Sequence, residues 1–272
     1  MFTSVRAFPG ITHITDAMGV SFTLIEGAQY AILYDTGYGT EDAAAYVKSL
    51  TDKPMKVFLS HGHHDHVLGA RWFSESYLCE EDLAEFCERT GKLQREKVKK
   101  QAETKNVPVP ADYLESSIPA PKTIRFTDTA DGFQCLTENP GGITVRVMRI
   151  PGHTPGSIVI FIPEYGLLLT GDDWNPCTWM WFPSSLPATV WRENMMRMIH
   201  LTEKDGNNEI RHILCSHQPA MRNGDELKNS LAYMTDERIS SAPTVNMGAP
   251  INTCMIRNEA EDWTLIFDRD KI

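Results

Sequence analysis

Four segments of this chain that read as β-strands each run directly into a side chain able to hold a metal ion. Residues 56–59 lead into Ser60-His-Gly-His-His-Asp-His66. Residues 143–150 lead into Pro151-Gly-His-Thr-Pro-Gly156, which puts His153 in a tight turn. Residues 167–170 lead into Gly171-Asp172-Asp173, and residues 210–215 lead into Ser216-His217. A fold that accommodates all four must gather several strand ends at one place. Such ends are where a rigid sheet positions chemistry on loops.

Metal chemistry sets the count of ligands. A hydrolytic zinc needs about three protein ligands and an open position for water. Two metals about 3.5–4 Å apart need a bridging carboxylate or hydroxide and roughly six or seven ligands in all. His61 and His63 are two residues apart and can project the same way from extended backbone. Asp65 and His66 lie beyond a turn and can serve a neighbouring ion.

The rest of the chain supplies the frame. Strand patterns recur at residues 11–15, 21–26 and 30–34, then at 124–126, 133–136 and 157–162. Residues 253–257 and 263–267 read as a terminal hairpin, and helical patterns cover 41–50, 187–203 and 225–239. Strands in two batches, each followed by helices, predict an α+β fold with two mixed β-sheets packed face to face and helices outside. With 272 residues, about 150 per domain does not separate one domain from two. The reading adopted is a single domain over 1–272 with a helical insertion at about 80–121. That block is dense in both charge signs and then rich in proline.

Composition narrows the partners. The net charge of −10 disfavours nucleic acid and anionic membranes. No apolar run approaches the roughly 18 residues that span a bilayer. The N-terminal residues read as lacking a secretory signal. The six cysteines form no CxxC pair, which suits reduced thiols and a cytoplasmic location.

His61-Gly-His-His-Asp-His66 matches the H-x-H-x-D-H signature of the metallo-β-lactamase superfamily. Tyr34-Asp-Thr-Gly37, His153 in Pro-Gly-His-Thr-Pro-Gly, Asp172 in Thr-Gly-Asp and His217 in Cys-Ser-His follow the family's order. The chain resembles that superfamily over roughly residues 20 to 220. The resemblance implies an αββα sandwich with a two-metal site at one edge of its sheets. Carried over by position, His61, His63 and His153 hold the first metal. Asp65, His66 and His217 hold the second, and Asp172 bridges them. Asp35 lies behind the ligands and fixes their loop by hydrogen bonds. His64 falls at the variable position, and Asp173 reads as a helix or loop cap. Zinc is the expected metal because imidazole dominates the set, with Mn2+ or Fe2+ compatible with the two carboxylates. In such a site a bridging water has its pKa lowered toward about 7, and the hydroxide attacks the substrate. Asp65 is the expected catalytic residue, orienting that hydroxide or passing on a proton.

Within the superfamily, the enzymes that hydrolyse lactam antibiotics lack the bridging carboxylate. The flavodiiron branch carries a carboxylate where His63 stands. The remaining resemblance is to glyoxalase II, acyl-homoserine lactonases, tRNA 3′-processing nucleases and sulfur dioxygenases. Lactonases have Tyr three residues after the bridging aspartate, where this chain has Asn175. The resemblance implies hydrolysis of an ester, thioester or lactone bond in a small molecule with an apolar part. The alternatives are phosphodiester hydrolysis and a mononuclear-iron persulfide dioxygenase. The stretch Trp174-Asn-Pro-Cys-Thr-Trp-Met-Trp-Phe-Pro183 follows Asp172 directly. Trp174, Trp179, Trp181 and Phe182 are expected to wall the substrate site. The same aromatic loop, if exposed, suits a homodimer contact. Met195, Met196, Met198, Cys177 and Cys215 are expected in the core. His13, His200 and His212 are expected to be satisfied surface or core histidines.

Overall fold

A computed structural model describes residues 1–130, 132–204, 209–248 and 251–271. Among these, the strands form three sheets. The first takes β1 (Thr3–Phe8), β2 (Ile11–Thr15), β3 (Ser21–Glu26), β4 (Ala31–Tyr34), β5 (Met55–Phe58), β6 (Tyr77–Leu78) and β7 (Lys122–Thr123) in chain order. Strands β1 to β4 pair antiparallel, and β4 to β7 pair parallel. A parallel neighbour requires a crossover, and helix α1 (Ala43–Leu50) supplies it between β4 and β5. Asp42 caps α1 by accepting the Ala45 N–H at 2.8 Å.

The short helix α2 (His64–Val67) follows β5, and α3 (Leu83–Arg89) and α4 (Lys92–Thr104) follow β6. Next come β8 (Asp128–Ala130), β9 (Phe133–Glu138), β10 (Val145–Arg149), β11 (Ile158–Ile162) and β12 (Leu167–Leu169). After β13 (Cys177–Met180) and helix α5 (Ala188–Glu203), β14 (His212–Cys215) and β15 (Gln218–Asn223) complete the second sheet. Its order is β15-β14-β12-β11-β10-β9-β8.

Alternation along β11 shows how the layers form. Ile158, Ile160 and Ile162 pack with Ile11, Ile32 and Phe58 of the first sheet. Val159 and Phe161, on the opposite face, pack with Trp191, Met195 and Met198 of α5. Both faces are covered, so the strand reads as one continuous apolar run. On the far side Leu33 and Val57 pack against Ala43 and Val47 of α1. The result is the expected αββα sandwich with mixed sheets.

The expected terminal hairpin forms, as β16 (Thr253–Asn258) and β17 (Trp263–Asp268). It pairs through β17 with β13 in a third sheet, Cys177 opposite Thr264 and Met180 opposite Phe267. The aromatic stretch is therefore partly a strand. The helix expected at 225–239 is two, α6 (Gly224–Tyr233) and α7 (Asp236–Ser241). Thr235 starts the second by accepting the Arg238 N–H. Strand pairing near 124–126 falls instead at Lys122–Thr123. Met196 is 52% exposed, because α5 buries Trp191, Met195 and Met198 on one stripe and 196 falls outside it.

Of the block expected as a helical insertion at about 80–121, residues 80–89 and 92–104 are helical, whereas 105–121 are not, their four prolines being incompatible with a helix interior. Val98 and Ala102 of α4, with Tyr113, pack on Met18, Val20, Tyr38 and Leu68. The Tyr113 hydroxyl donates to the Tyr38 carbonyl at 2.8 Å. No described helix is long and apolar enough to cross a membrane, and among the described residues none of the six cysteines is in a disulfide.

Ile160→Ala, in the layer between the sheets, is expected to cost about 2–5 kcal/mol in urea unfolding. Met196→Ala should stay within about 0.5 kcal/mol. Equal losses at the two positions would contradict this layering.

Candidate metal centre

Strands β4 and β5 run parallel in the first sheet. In the second, β10, β12 and β14 share one direction, because β11 lies antiparallel to both β10 and β12 while β12 and β14 are parallel. The carboxyl ends meet across the sandwich. The Ile158 N–H donates to the Ser60 carbonyl at 2.9 Å, and the Ser21 N–H donates to the Ser216 carbonyl at 2.7 Å. The Tyr34 hydroxyl donates to the Ile158 carbonyl at 2.6 Å.

This junction brings the seven predicted ligands into two adjoining groups. One is His61, His63 and His153; the other is Asp65, His66, Asp172 and His217. Within each, the candidate ligand atoms lie within 4.8 Å of one another. Asp172 Oδ2 is central. It lies 3.1 Å from His217 Nε2, 3.3 Å from His66 Nε2 and 3.8 Å from His153 Nε2. The other oxygen, Oδ1, accepts the Asn175 amide at 3.2 Å. One oxygen is thus held by the protein and the other faces both groups. Asn175, at the position of the lactonase tyrosine, orients the carboxylate.

The imidazoles fit a metal. Those of His61, His66 and His153 are each tied by Nδ1: to Ser60 Oγ at 2.9 Å, to Asp35 Oδ2 at 2.9 Å, and to the Trp179 carbonyl at 2.7 Å. The Nε2 atoms of His61 and His66 are buried and have no hydrogen-bond partner. His63 is turned the other way, its Nδ1 facing His153 Nε2 at 2.9 Å. Its Nε2 lies 3.3 Å from Glu85 Oε1, misaligned for a hydrogen bond. Buried nitrogens of this kind are costly without a partner, and far-side partners that fix each ring are the usual support of a metal ligand. Asp35 also accepts the Ser60 N–H at 2.6 Å, which fixes the start of the loop.

Electrostatics favour lone pairs on one side and charge on the other. Burial, reinforced by His66, His63 and His153, pushes His61 well below its ordinary value. Burial and His63 lower His153 to about 3. Burial opposes ionisation of Asp172, but His217 and His66 outweigh it and hold the carboxyl well below the usual range. Burial likewise opposes ionisation of Asp65, and His66, His64 and His217 outweigh it, bringing the carboxyl to about 2.

Helix α3 buttresses the site. Asp82, just before it, is fully buried. Its carboxylate accepts the Gly62 N–H at 2.9 Å, the Gly156 N–H at 2.7 Å and the Thr154 hydroxyl at 2.6 Å. Both histidine loops therefore hang from one side chain. Glycine is required at two points of contact: a Cβ on Gly156 would sit 2.6 Å from Asp82 Oδ1, and one on Gly62 would sit 2.9 Å from the Glu85 Cβ. Asp173, expected as a cap, accepts the His153 N–H at 2.9 Å, and its carbonyl accepts the Trp191 indole. Asp82, Glu85 and Arg89 were not singled out from sequence. They sit in a charge-dense block where nothing in the pattern distinguishes a buried carboxylate from a solvated one.

The groups open onto a cavity of about 460 Å³ lined by Tyr38, His64, Arg89, Gln101, Trp179 and Phe182 among others. This is the size range of small-molecule sites. The expected aromatic wall is corrected in part. Trp179 and Phe182 line the cavity. Trp174 does not: it is buried in the core beside Trp191 and Met195, because it precedes β13 and turns inward. Trp181 lies behind the wall, stacked on Phe182 at 4.8 Å. Cys177, expected in the core, is exposed on the cavity side, while Cys215 is buried. His64 also lines the cavity, with its ring 5.6 Å from that of Tyr38. His13 belongs to neither group: it bonds Thr23 Oγ1 at 2.9 Å, and its Nε2 lies 3.4 Å from the Gln218 carbonyl.

A family model described as the metallo-beta-lactamase superfamily matches residues 15–172. A curated relative, beta-lactamase-like protein 2 homolog of Drosophila melanogaster, is 29% identical over 161 residues. That match covers 57% of this chain and 46% of the relative, so this chain spans less than half of that protein. Among solved structures, the sec-alkylsulfatase Pisa1 from Pseudomonas sp. superposes with a TM-score of 0.61 at 16% identity, over 85% of this chain and 40% of its own. A metallo-beta-lactamase from Pontibacter korlensis superposes with a TM-score of 0.57 at 14% identity, over 85% of this chain and 98% of its own. At such identities the structures speak to the fold alone. The family model, however, runs through more than half of the chain, from Thr15 across the histidine segment to Asp172, and on that ground the chain belongs to the metallo-β-lactamase superfamily.

Proposed function

We propose that this chain is a binuclear metal-dependent hydrolase that cleaves a carboxylic ester, thioester or lactone bond of a small molecule with an apolar part. The observation that carries this reading is the placement of Asp172 Oδ2, within 3.8 Å of ligand atoms from both groups. His61, His63 and His153 would hold one ion, Asp65, His66 and His217 the other, and Asp172 both. Five imidazoles and two carboxylates favour zinc, with manganese or iron compatible. When bound, two divalent ions supply Lewis acidity and make hydroxide available near neutral pH.

The chain's own residues do the rest. Asp172, oriented by Asn175, sets the spacing between the two groups. Asp65 orients the nucleophile and accepts a proton at its carboxylate. Trp179 and Phe182 bind the apolar part of the substrate and exclude water from that side. The second group is assembled as closely as the first, which favours two metals over a single iron. The net charge of −10 favours a small molecule over a polynucleotide.

Turnover of 4-nitrophenyl butyrate by the zinc-loaded protein tests the reading, with bis(4-nitrophenyl) phosphate and 4-nitrophenyl sulfate as competitors. Ester hydrolysis should predominate, vanish on chelation and return with zinc. Elemental analysis should give about two metals per chain, falling toward one in His217→Ala. One iron per chain with oxygen uptake on a persulfide would replace this reading. Asp65→Asn, assayed at a metal content restored to that of wild type, should lose about 10²–10⁴-fold in kcat; full turnover would remove Asp65 from the chemistry. Glu85→Ala should weaken metal binding about 10–100-fold in competition with a chromogenic chelator. Unchanged affinity would mean that Glu85 does not support His63.

A further inference from the structure

Arg89 is the only lysine or arginine among the described residues lining the cavity. The rest of the lining is acidic, aromatic or neutral. Nε donates to Glu85 Oε1 at 2.7 Å. The guanidinium carbon lies 6.0 Å from the Phe182 ring centre, within cation–π range. These two contacts hold the group beside Glu85 and Phe182. Neither terminal nitrogen has a hydrogen-bond or ion-pair partner among the described residues. Those two nitrogens form the edge that binds a carboxylate in two parallel hydrogen bonds. Glu85 therefore occupies one edge of Arg89 and leaves the other for a ligand.

The position is equally specific. Phe182 lies 4.6 Å, ring centre to ring centre, from His63. Arg89 and His63 each neighbour Phe182 and each approach the same Glu85 oxygen, so the cation, the apolar face and the predicted metal group lie side by side.

Resting on the hydrolase reading above, we propose that Arg89 is an anion-binding subsite for the substrate's far end. The substrate is then a small ester, thioester or lactone with a carboxylate or similar oxyanion. A short apolar spacer lying on Phe182 and Trp179 separates that anion from the bond cleaved. Arg89 sets specificity and takes no part in the chemical step.

The test uses metal-loaded protein and three 4-nitrophenyl esters of similar length: hexanoate, mono-adipate and 6-aminohexanoate. Metal content per chain is measured for every variant, because Glu85 contacts both Arg89 and His63. Wild type is expected to favour the adipate ester over the hexanoate ester by about 10–100-fold in kcat/KM, chiefly through KM, the range for a hydrogen-bonded charge. Arg89→Gln should bring that ratio toward one, and Arg89→Lys should restore part of it. Arg89→Glu should reverse the preference toward the aminohexanoate ester, which misfolding cannot do. No adipate preference in wild type, or an undiminished one in Arg89→Gln, overturns the subsite. If no ester is turned over, the hydrolase reading fails separately. The subsite is then decided by quenching of tryptophan fluorescence with hexanoate against hexanamide. Tighter hexanoate binding that Arg89→Gln abolishes supports it, and equal binding by wild type and variant overturns it.

Discussion

The carboxylate of Asp82 is the joint on which the site depends. It accepts one backbone N–H from the loop carrying His61 and His63, and another from the loop carrying His153. Those loops come from different sheets. Burial pushes this carboxyl above its ordinary value, while Thr154 and the two N–H groups pull the other way. A buried acceptor that loses such donors leaves about 1–3 kcal/mol uncompensated for each group stranded. The two halves of the sandwich are thereby held in register where it matters to a metal, and the same residue starts the helix that carries Glu85 and Arg89.

The cluster of imidazoles illustrates how a polar interior is kept tolerable. Three of the five rings, those of His61, His66 and His153, have one nitrogen engaged from behind, by Ser60, Asp35 and the Trp179 carbonyl, and Glu85 lies 3.3 Å from the outer nitrogen of His63. That fixes which nitrogen faces inward, and His63 presents Nδ1 where its neighbours present Nε2. A strand geometry alone would have aimed His61 and His63 alike. The turn into α2 and the carboxylate of Glu85 make the difference.

Much of this was legible in the sequence. Strand ends carrying His61, His153, Asp172 and His217 are a local pattern, and apolar runs such as residues 157–162 announce strands covered on both faces. Edge strands were harder. Residues of β1 and β15 are largely exposed, so no apolar periodicity marks them. Lys122–Thr123 pairs only because Tyr77–Leu78 lies beside it. The aromatic stretch misled for a related reason. Trp174, Trp179 and Trp181 have the same chemistry but separate destinations, set by where β13 starts and by its partner β17. That partner lies more than eighty residues away in the chain, and no local signal encodes it.

The pairing of β13 with β17 also bears on the order in which the protein can be made. The Trp179 carbonyl that holds His153 belongs to β13, and Trp179 is registered opposite Ile266. A nascent chain that has emerged only as far as residue 250 already contains every predicted ligand. It still lacks the strand that aligns this carbonyl. On the ribosome, the Trp179 carbonyl therefore gains its alignment against β17 only after that strand has emerged.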